Sequence, residues 1–276
     1  MTAKKYLVID LAYCHDCNNC FIACKDEHCL NGDRWLPYTD EQPRHGHRWM
    51  NIEKKERGQY PRISVTSLPK PCQHCADPKC KEAASGAVTV RGDGIVLLDS
   101  EKAKGRRDLV DSCPFGAIWY NEEKGVAQKC TFCAHILDGK ADWGVSVALL
   151  PRCAHSCPTS SIAYYEMDAE AFGQLKAAEG LERYRPEESP DGQVWYKNLA
   201  KWTRHFIAGG LLKGGECAEG VTVALTGAGL PAQETNFFGD FCFDGLAPGT
   251  YTVVADGKDV TTVELEKSVN LGSIAI

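Results

Sequence analysis

Apolar and polar residues follow no single period along this chain. Through about residue 165 the apolar positions come in short bursts, "KYLVIDL", "GAVTV", "GIVLLD", "AIWYNE" and "IAYYEM". Such runs predict the strands of small β hairpins, with short helices between them. "DAEAFGQLKAAEGLERY" reads as a helix started at Asp168, and "RPEESPDGQ" after it as a polar linker rich in proline and acid. From about residue 203 the pattern changes: "GVTVALTGAG", "AQETNFFGDFCFDGL", "GTYTVVADG", "KDVTTVELE" and "VNLGSIAI" alternate apolar with polar residues between glycine turns. That alternation predicts a small antiparallel β sandwich. The expected organisation is a first domain over 1–202, with an insertion at about 30–70 and a helix and linker at about 168–202, then a sandwich over 203–276.

The 15 cysteines change this picture, because they are clustered with metal-type spacing rather than scattered as in a disulfide framework. "CHDCNNCFIACK" places Cys14, Cys17, Cys20 and Cys24 at intervals of two, two and three residues, the ligand run of a bacterial ferredoxin. "CQHCADPKC" gives Cys72, Cys75 and Cys80, but the next slot is Ala84. "DSCPFGAI" gives Cys113 followed by proline, the ending of such a run, yet its three earlier slots are Ala103, Arg106 and Leu109. "CTFCAHILDG" and "PRCAHSCPTSSI" supply Cys130, Cys133, Cys153 and Cys157, a complete run with a long insertion.

In a two-cluster ferredoxin the first three thiolates of a run hold one cluster and the fourth crosses to another. Only one reciprocal exchange completes every surviving triple here. Cys14, Cys17 and Cys20 take Cys157; Cys130, Cys133 and Cys153 take Cys24; Cys72, Cys75 and Cys80 take Cys113. Ala84, Ala103, Arg106 and Leu109 then occupy the slots of one absent cluster, so three 4Fe–4S clusters are expected from a plan of four. Paired C-x-x-C units also hold zinc, but the run and the Cys-Pro endings follow the iron–sulfur spacing. Cys29, Cys217 and Cys242 fall outside every run and read as small packing thiols, and His45 and His47 in the insertion read as structural or partner-contacting.

Charge and hydropathy narrow the partners. A net charge of −6 leaves no footprint for nucleic acid. No apolar stretch approaches the roughly 20 residues that cross a bilayer. The start, "MTAKKYLVIDLAYCHDC", has neither an apolar signal core nor twin arginines, so a cytoplasmic location is expected, with export alongside a signal-bearing partner left open. No glycine-rich loop joins a strand to a helix as a dinucleotide site requires. Clusters held wholly by cysteine have no open position for substrate, so a catalytic residue set is expected on another chain.

The four ligand segments, one spread by an insertion, resemble the iron–sulfur subunits of the molybdopterin oxidoreductases, the dimethyl sulfoxide reductase group. That resemblance implies an α+β, ferredoxin-like multi-cluster domain and an electron-transfer role. It also implies a heterodimer with a large catalytic subunit carrying molybdenum on two molybdopterin guanine dinucleotides. Within that family, "GHRWMNIEKKERGQYPR", "NEEKGVAQKCTFCAH" and "ETNFFGDFCFDGL" resemble small subunits whose partners act on polyhydroxylated aromatics in anaerobes. They imply hydroxyl transfer, with reductive catechol dehydroxylation or another respiratory molybdenum reductase as alternatives. "TNFFGDFCFDGLAPGTYTVVADG" resembles prealbumin-like or carboxypeptidase regulatory-like sandwiches.

Overall fold

The computed structural model describes residues 3–29, 48–139 and 149–276. The chain divides into two compact units, one formed by Met1–Glu53 with Ser67–Leu199, the other by Lys54–Thr66 with Ala200–Ile276. The elements run β1 (Lys4–Asp10), α1 (Asn19–Cys29), the hairpin β2 (Met50–Gln59) and β3 (Arg62–Pro71), α2 (Cys80–Ala83), β4 (Val88–Val90), β5 (Val96–Leu98) and α3 (Asp108–Asp111). They continue with β6 (Ile118–Asn121), β7 (Val126–Lys129), α4 (Ala134–Leu137), α5 (Arg152–His155), β8 (Ile162–Met167), α6 (Ala169–Glu179) and β9 (Val194–Lys197).

In the first unit, β1 is the middle strand of a sheet, antiparallel to β8 and parallel to β9. Its burial on both faces suits a run of apolar residues without strict alternation. One face packs Tyr6 and Val8 against Phe172, Leu181 and Trp195, with the Tyr6 and Phe172 rings stacked 3.6 Å apart. Phe172 reaches them because α6 starts where its sequence says: Asp168 accepts a 2.8 Å hydrogen bond from the Ala171 amide, and Gly180 closes the helix in the left-handed conformation. The remaining bursts form the antiparallel hairpins β4–β5 and β6–β7. Short helices stand between the hairpins and the cysteine loops, a mixed α and β architecture.

The segment read as a polar linker, residues 185–193, is instead a structural clamp. Its end bridges to Cys75 at Gly192, where any Cβ would lie 2.9 Å from the carbonyl oxygens of Gln73 and His74, and the chain then enters β9. Polar composition reported its exposed side chains and not the backbone pairing beneath them.

The second unit contains α7 (Ala200–Thr203), β10 (His205–Lys213), β11 (Glu216–Cys217), β12 (Thr222–Thr226), β13 (Gln233–Glu234), β14 (Asp240–Leu246), β15 (Gly249–Ala255), β16 (Lys258–Leu265) and β17 (Val269–Ala275). β10 pairs with β11, β14 and β17, and β12, β13, β15 and β16 form a second sheet. Ile207, Leu211, Phe241 and Phe243 from one sheet share a core with Val223, Leu225, Tyr251, Val253 and Leu265 from the other. Each fully buried large side chain of this kind contributes about 1.5–3 kcal/mol.

The expectation of an antiparallel sandwich is corrected in one respect: β17 runs parallel to β10. Alternation reports which face a side chain takes, not strand direction, so it could not distinguish the two. The turn of the β2–β3 hairpin also clusters with this unit. Gly58 permits this with φ +88°, since a Cβ there would lie 2.5 Å from both Arg62 O and Phe206 Cζ. The buried Arg57 donates from Nη1 and Nη2 to the Asp244 carboxylate at 2.8 and 3.1 Å.

Burial raises the Asp244 carboxyl and the Arg57 fork lowers it, leaving it below its ordinary value. A depressed folded pKa stabilises above the unfolded value of about 3.9, and the effect is lost as pH falls through the folded value. Asp244→Asn is therefore expected to lower local stability at pH 7, the exposed side of the carboxylate limiting the loss. Hydrogen exchange at the β14 amides should quicken accordingly, and the difference from the parent should close in acid below the folded pKa.

Candidate iron–sulfur sites

The cysteines of the first unit fall into three groups that act on one another electrostatically. Burial pushes the Cys20 thiol up to about 12, and charge on Cys14, Cys157 and Cys17 adds to the rise. Burial carries Cys24 and Cys153 well above the ordinary thiol range, and Cys130 and Cys133 raise both further. Cys80 is also pushed up to about 12 by burial, then by Cys72, Cys113 and Cys75. Each group joins thiols from segments distant in sequence. Cys20 and Cys24 lie one turn apart on α1 and face different groups.

The group of Cys24, Cys130, Cys133 and Cys153 neighbours both of the others. Cys20 acts on Cys24 and Cys153 of the middle group, and Cys72 is the largest neighbouring charge on Cys130 from the other side.

Local backbone geometry presents these sulfurs. Asp16, Asn18, His74, Phe132 and Cys133 all have positive φ, between 43° and 61°, and each sits within a cysteine loop. Non-glycine residues hold this conformation only where the surroundings require it. The two Cys-Pro endings share it three residues on, at Gly116 (φ 60°) and Ser160 (φ 53°). The turned backbone aims amides at sulfur: Phe132 N donates to Cys130 Sγ at 3.4 Å, Arg152 N to Cys133 Sγ at 3.5 Å and Ala117 N to Cys113 Sγ at 3.4 Å. Such bonds favour the thiolate over the thiol.

The donor set therefore fits iron–sulfur clusters. A four-iron cube takes one thiolate per iron, so its ligands stand wider apart than those of one tetrahedral ion. Among the described residues, no three of His, Cys, Asp or Glu converge closely enough for a single metal ion.

The slots that lack cysteine converge as well. Ala84, Ala103 and Leu109 are buried together with Val88, Val96, Ile118 and Val126 in one apolar cluster. Arg106 donates from Nη2 to Ala83 O at 2.6 Å, beside the fourth slot. Packed side chains fill the space where a further ligand set would stand.

Three polar residues near the cysteines had no signal in the spacing. His74 is fully buried and held neutral by burial, with Nδ1 accepting from the Val96 amide at 3.0 Å. Lys129 donates to Val96 O and to Cys130 O, and Arg183 to Ser189 and Val194 O. Outside the groups, Cys217 is exposed and Cys242 is half-buried. His45, His47 and the side chain of Cys29 lie outside the described residues. Among the described residues, no helix is long and apolar enough to cross a membrane.

Loops of this form define an iron–sulfur protein of ferredoxin type, and the family model of the 4Fe-4S dicluster domain matches residues 63–167. The chain is 47% identical over 277 residues to the pyrogallol hydroxytransferase small subunit of Pelobacter acidigallici, covering 98% of each. It is 31% identical over 188 residues to the B subunit of the anaerobic dimethyl sulfoxide reductase of Escherichia coli, 66% of this chain and 84% of that subunit. A shorter match, 40% identical over 103 residues, spans 37% of this chain and 31% of the dimethylsulfide dehydrogenase subunit beta of Rhodovulum sulfidophilum. The chain belongs to the family of the pyrogallol hydroxytransferase small subunit, related more distantly to the B subunits of the dimethyl sulfoxide reductases.

The crossed grouping makes an expectation opposite to local sequence. Cys24→Ala should damage the cluster site of Cys130, Cys133 and Cys153 while leaving that of Cys14, Cys17 and Cys20 with its thiolates. Spectroscopic counting of clusters in the variant checks this, and damage confined to the Cys14 site would refute the grouping.

Proposed function

We propose that this chain is the electron-transfer subunit of a molybdopterin enzyme acting on polyhydroxylated aromatics, a pyrogallol–phloroglucinol transhydroxylase. The observation that carries this reading is the 47% identity, end to end, with the pyrogallol hydroxytransferase small subunit. In this reading Cys14, Cys17, Cys20 and Cys157 hold one 4Fe–4S cluster; Cys24, Cys130, Cys133 and Cys153 a second; Cys72, Cys75, Cys80 and Cys113 a third. Four-cysteine clusters supply one-electron transfer and leave no position for substrate, so the chain has no catalytic residue of its own. Its residues bury the thiolates from water, direct amide N–H groups at sulfur, and set the middle group beside both others.

The partner is a large subunit holding molybdenum on two pterin guanine dinucleotides, in a cytoplasmic heterodimer. The second unit, in this reading a prealbumin-like sandwich over about 203–276 beside the cluster domain of 1–202, serves as scaffold or contact surface. Anaerobically purified complex should contain four irons for each of three clusters, about 12 per chain, with equal acid-labile sulfide. Zinc in place of iron would contradict the ligand assignment.

A second reading is favoured by the succession of neighbouring thiol groups, the middle one adjoining both others. Moving a hydroxyl between polyphenols is redox-neutral, whereas removing one reductively consumes two electrons each cycle and needs a wire. In a transhydroxylase the clusters set or restore the working oxidation state of the metal centre. Turnover of pyrogallol with a tetrahydroxybenzene co-substrate is expected without any external donor. Strict dependence on a reduced viologen dye would overturn hydroxyl transfer in favour of catechol dehydroxylation.

A further inference from the structure

Three buried groups that can donate a hydrogen bond, His74 Nε2, Thr131 Oγ1 and Ser156 Oγ, have no partner among the described residues. Each belongs to a residue next in sequence to a ligand thiol, Cys75, Cys130 and Cys157 respectively. His74 is the most confined of the three, at 0% exposed. A buried donor left unpaired is costly, so a partner is required there.

Geometry places the proton on this ring. The Val96 amide donates to His74 Nδ1 at 3.0 Å, and an amide nitrogen can only donate, so Nδ1 is bare and Nε2 carries the hydrogen. The ring meets that of Phe132 edge to face, with centroids 4.9 Å apart. Phe132 lies between Cys130 and Cys133, and its amide donates to Cys130 Sγ at 3.4 Å. His74 thus stands where the Cys72–Cys75 loop meets the Cys130–Cys133 loop, and its left-handed backbone, φ 43°, is one that the loop must enforce. Two other acceptors compete for the Nε2 hydrogen: the face of the Phe132 ring, and a buried water held with the Oε1 atoms of Gln73 and Gln193, which also lack partners. The ring is a weak acceptor. A water at His74 would leave the same want of a partner at Thr131 and Ser156, beside their own thiols, unexplained.

We propose that His74 donates a hydrogen bond from Nε2 to a sulfur of an iron–sulfur cluster at the junction of the Cys72–Cys75 and Cys130–Cys133 loops, and so favours the reduced form of that cluster. The inference rests on the ligand assignment proposed above. Reduction brings one electron from an external low-potential donor and takes up no proton, since Nε2 already carries its hydrogen. The bond strengthens as the cluster sulfur gains negative charge, which is why it favours the reduced state.

Pulsed electron paramagnetic resonance of the anaerobically reduced complex, grown with ¹⁵N-labelled histidine, tests it. A weak coupling between a histidine nitrogen and a reduced cluster is expected in the parent, and it should vanish in His74→Asn. That variant keeps an acceptor for the Val96 amide in its Oδ1 and has no donor in place of Nε2. Its ratio of reduced to oxidised cluster at fixed potential should fall about fivefold in one signal, the net worth of a single hydrogen bond. The cluster of Cys14, whose signal Cys14→Ser identifies, should keep its ratio. His74→Gln restores an amide donor and should bring the ratio back toward the parent's; it also assigns the coupling if His74→Asn fails to assemble. No histidine coupling in the parent, the result if a water or the Phe132 ring takes the hydrogen, would overturn the proposal. So would a coupling that survives both substitutions, or an equal fall in the Cys14 signal. A parent complex without iron would instead fail the ligand assignment, which the iron content alone reports.

Discussion

Thiolates buried side by side repel one another, and the first unit is built around that constraint. Cys130 and Cys80 are both pushed up to about 12 by burial, with neighbouring thiols adding to the rise. Left alone, such groups stay protonated at neutral pH and supply no binding energy. They ionise together only against bound cations, and metal binding then becomes folding energy. The ordering of the unit follows from this. Its N-terminal strand pairs with the strand after Cys157, Ile9 opposite Ile162, so the two ends of the cysteine region meet where Cys14 and Cys157 gather. The clamp at Gly192 closes on the loop that carries Cys75.

The second unit needs no such chemistry. Its two sheets interleave Phe241, Phe243, Val223 and Val253 into a dry core, and the buried Arg57 is answered by Asp244. The chain thus combines a unit whose interior gathers ionisable thiols with one whose core is apolar beside a single buried arginine–carboxylate pair. The slots at Ala84, Ala103 and Leu109 stand between these cases, because positions that would carry thiolates in a further set are packed as ordinary core.

Much of this is legible in the order of residues alone. A fixed spacing of cysteines is a geometric demand, and with a reciprocal exchange of fourth ligands it leads to the expectation of Cys24 beside Cys130 and Cys80 beside Cys113, thiols that lie near one another in the fold. Asp168 marks the start of α6 because an N-cap is a local device. What stays hidden depends on contacts distant in sequence. Nothing in "RPEESPDGQ" announces that its backbone bridges to a cysteine loop, and alternation in "VNLGSIAI" is silent on whether β17 runs with or against β10. Lys129 and Arg183 are invisible for a related reason: lysine and arginine are usually solvated, and only the packing reveals that these two are not.

The central claim is that this fold exists to hold three crossed thiolate sets, the middle one neighbouring both others. An iron-edge anomalous difference map from anaerobically grown crystals of the complex tests it most directly. The account predicts three separate iron peaks in this chain, with Cys24 reaching the middle one and Cys157 the one bound by Cys14. A peak between Ala84 and Leu109, or Cys24 bound to the same peak as Cys14, Cys17 and Cys20, would contradict it.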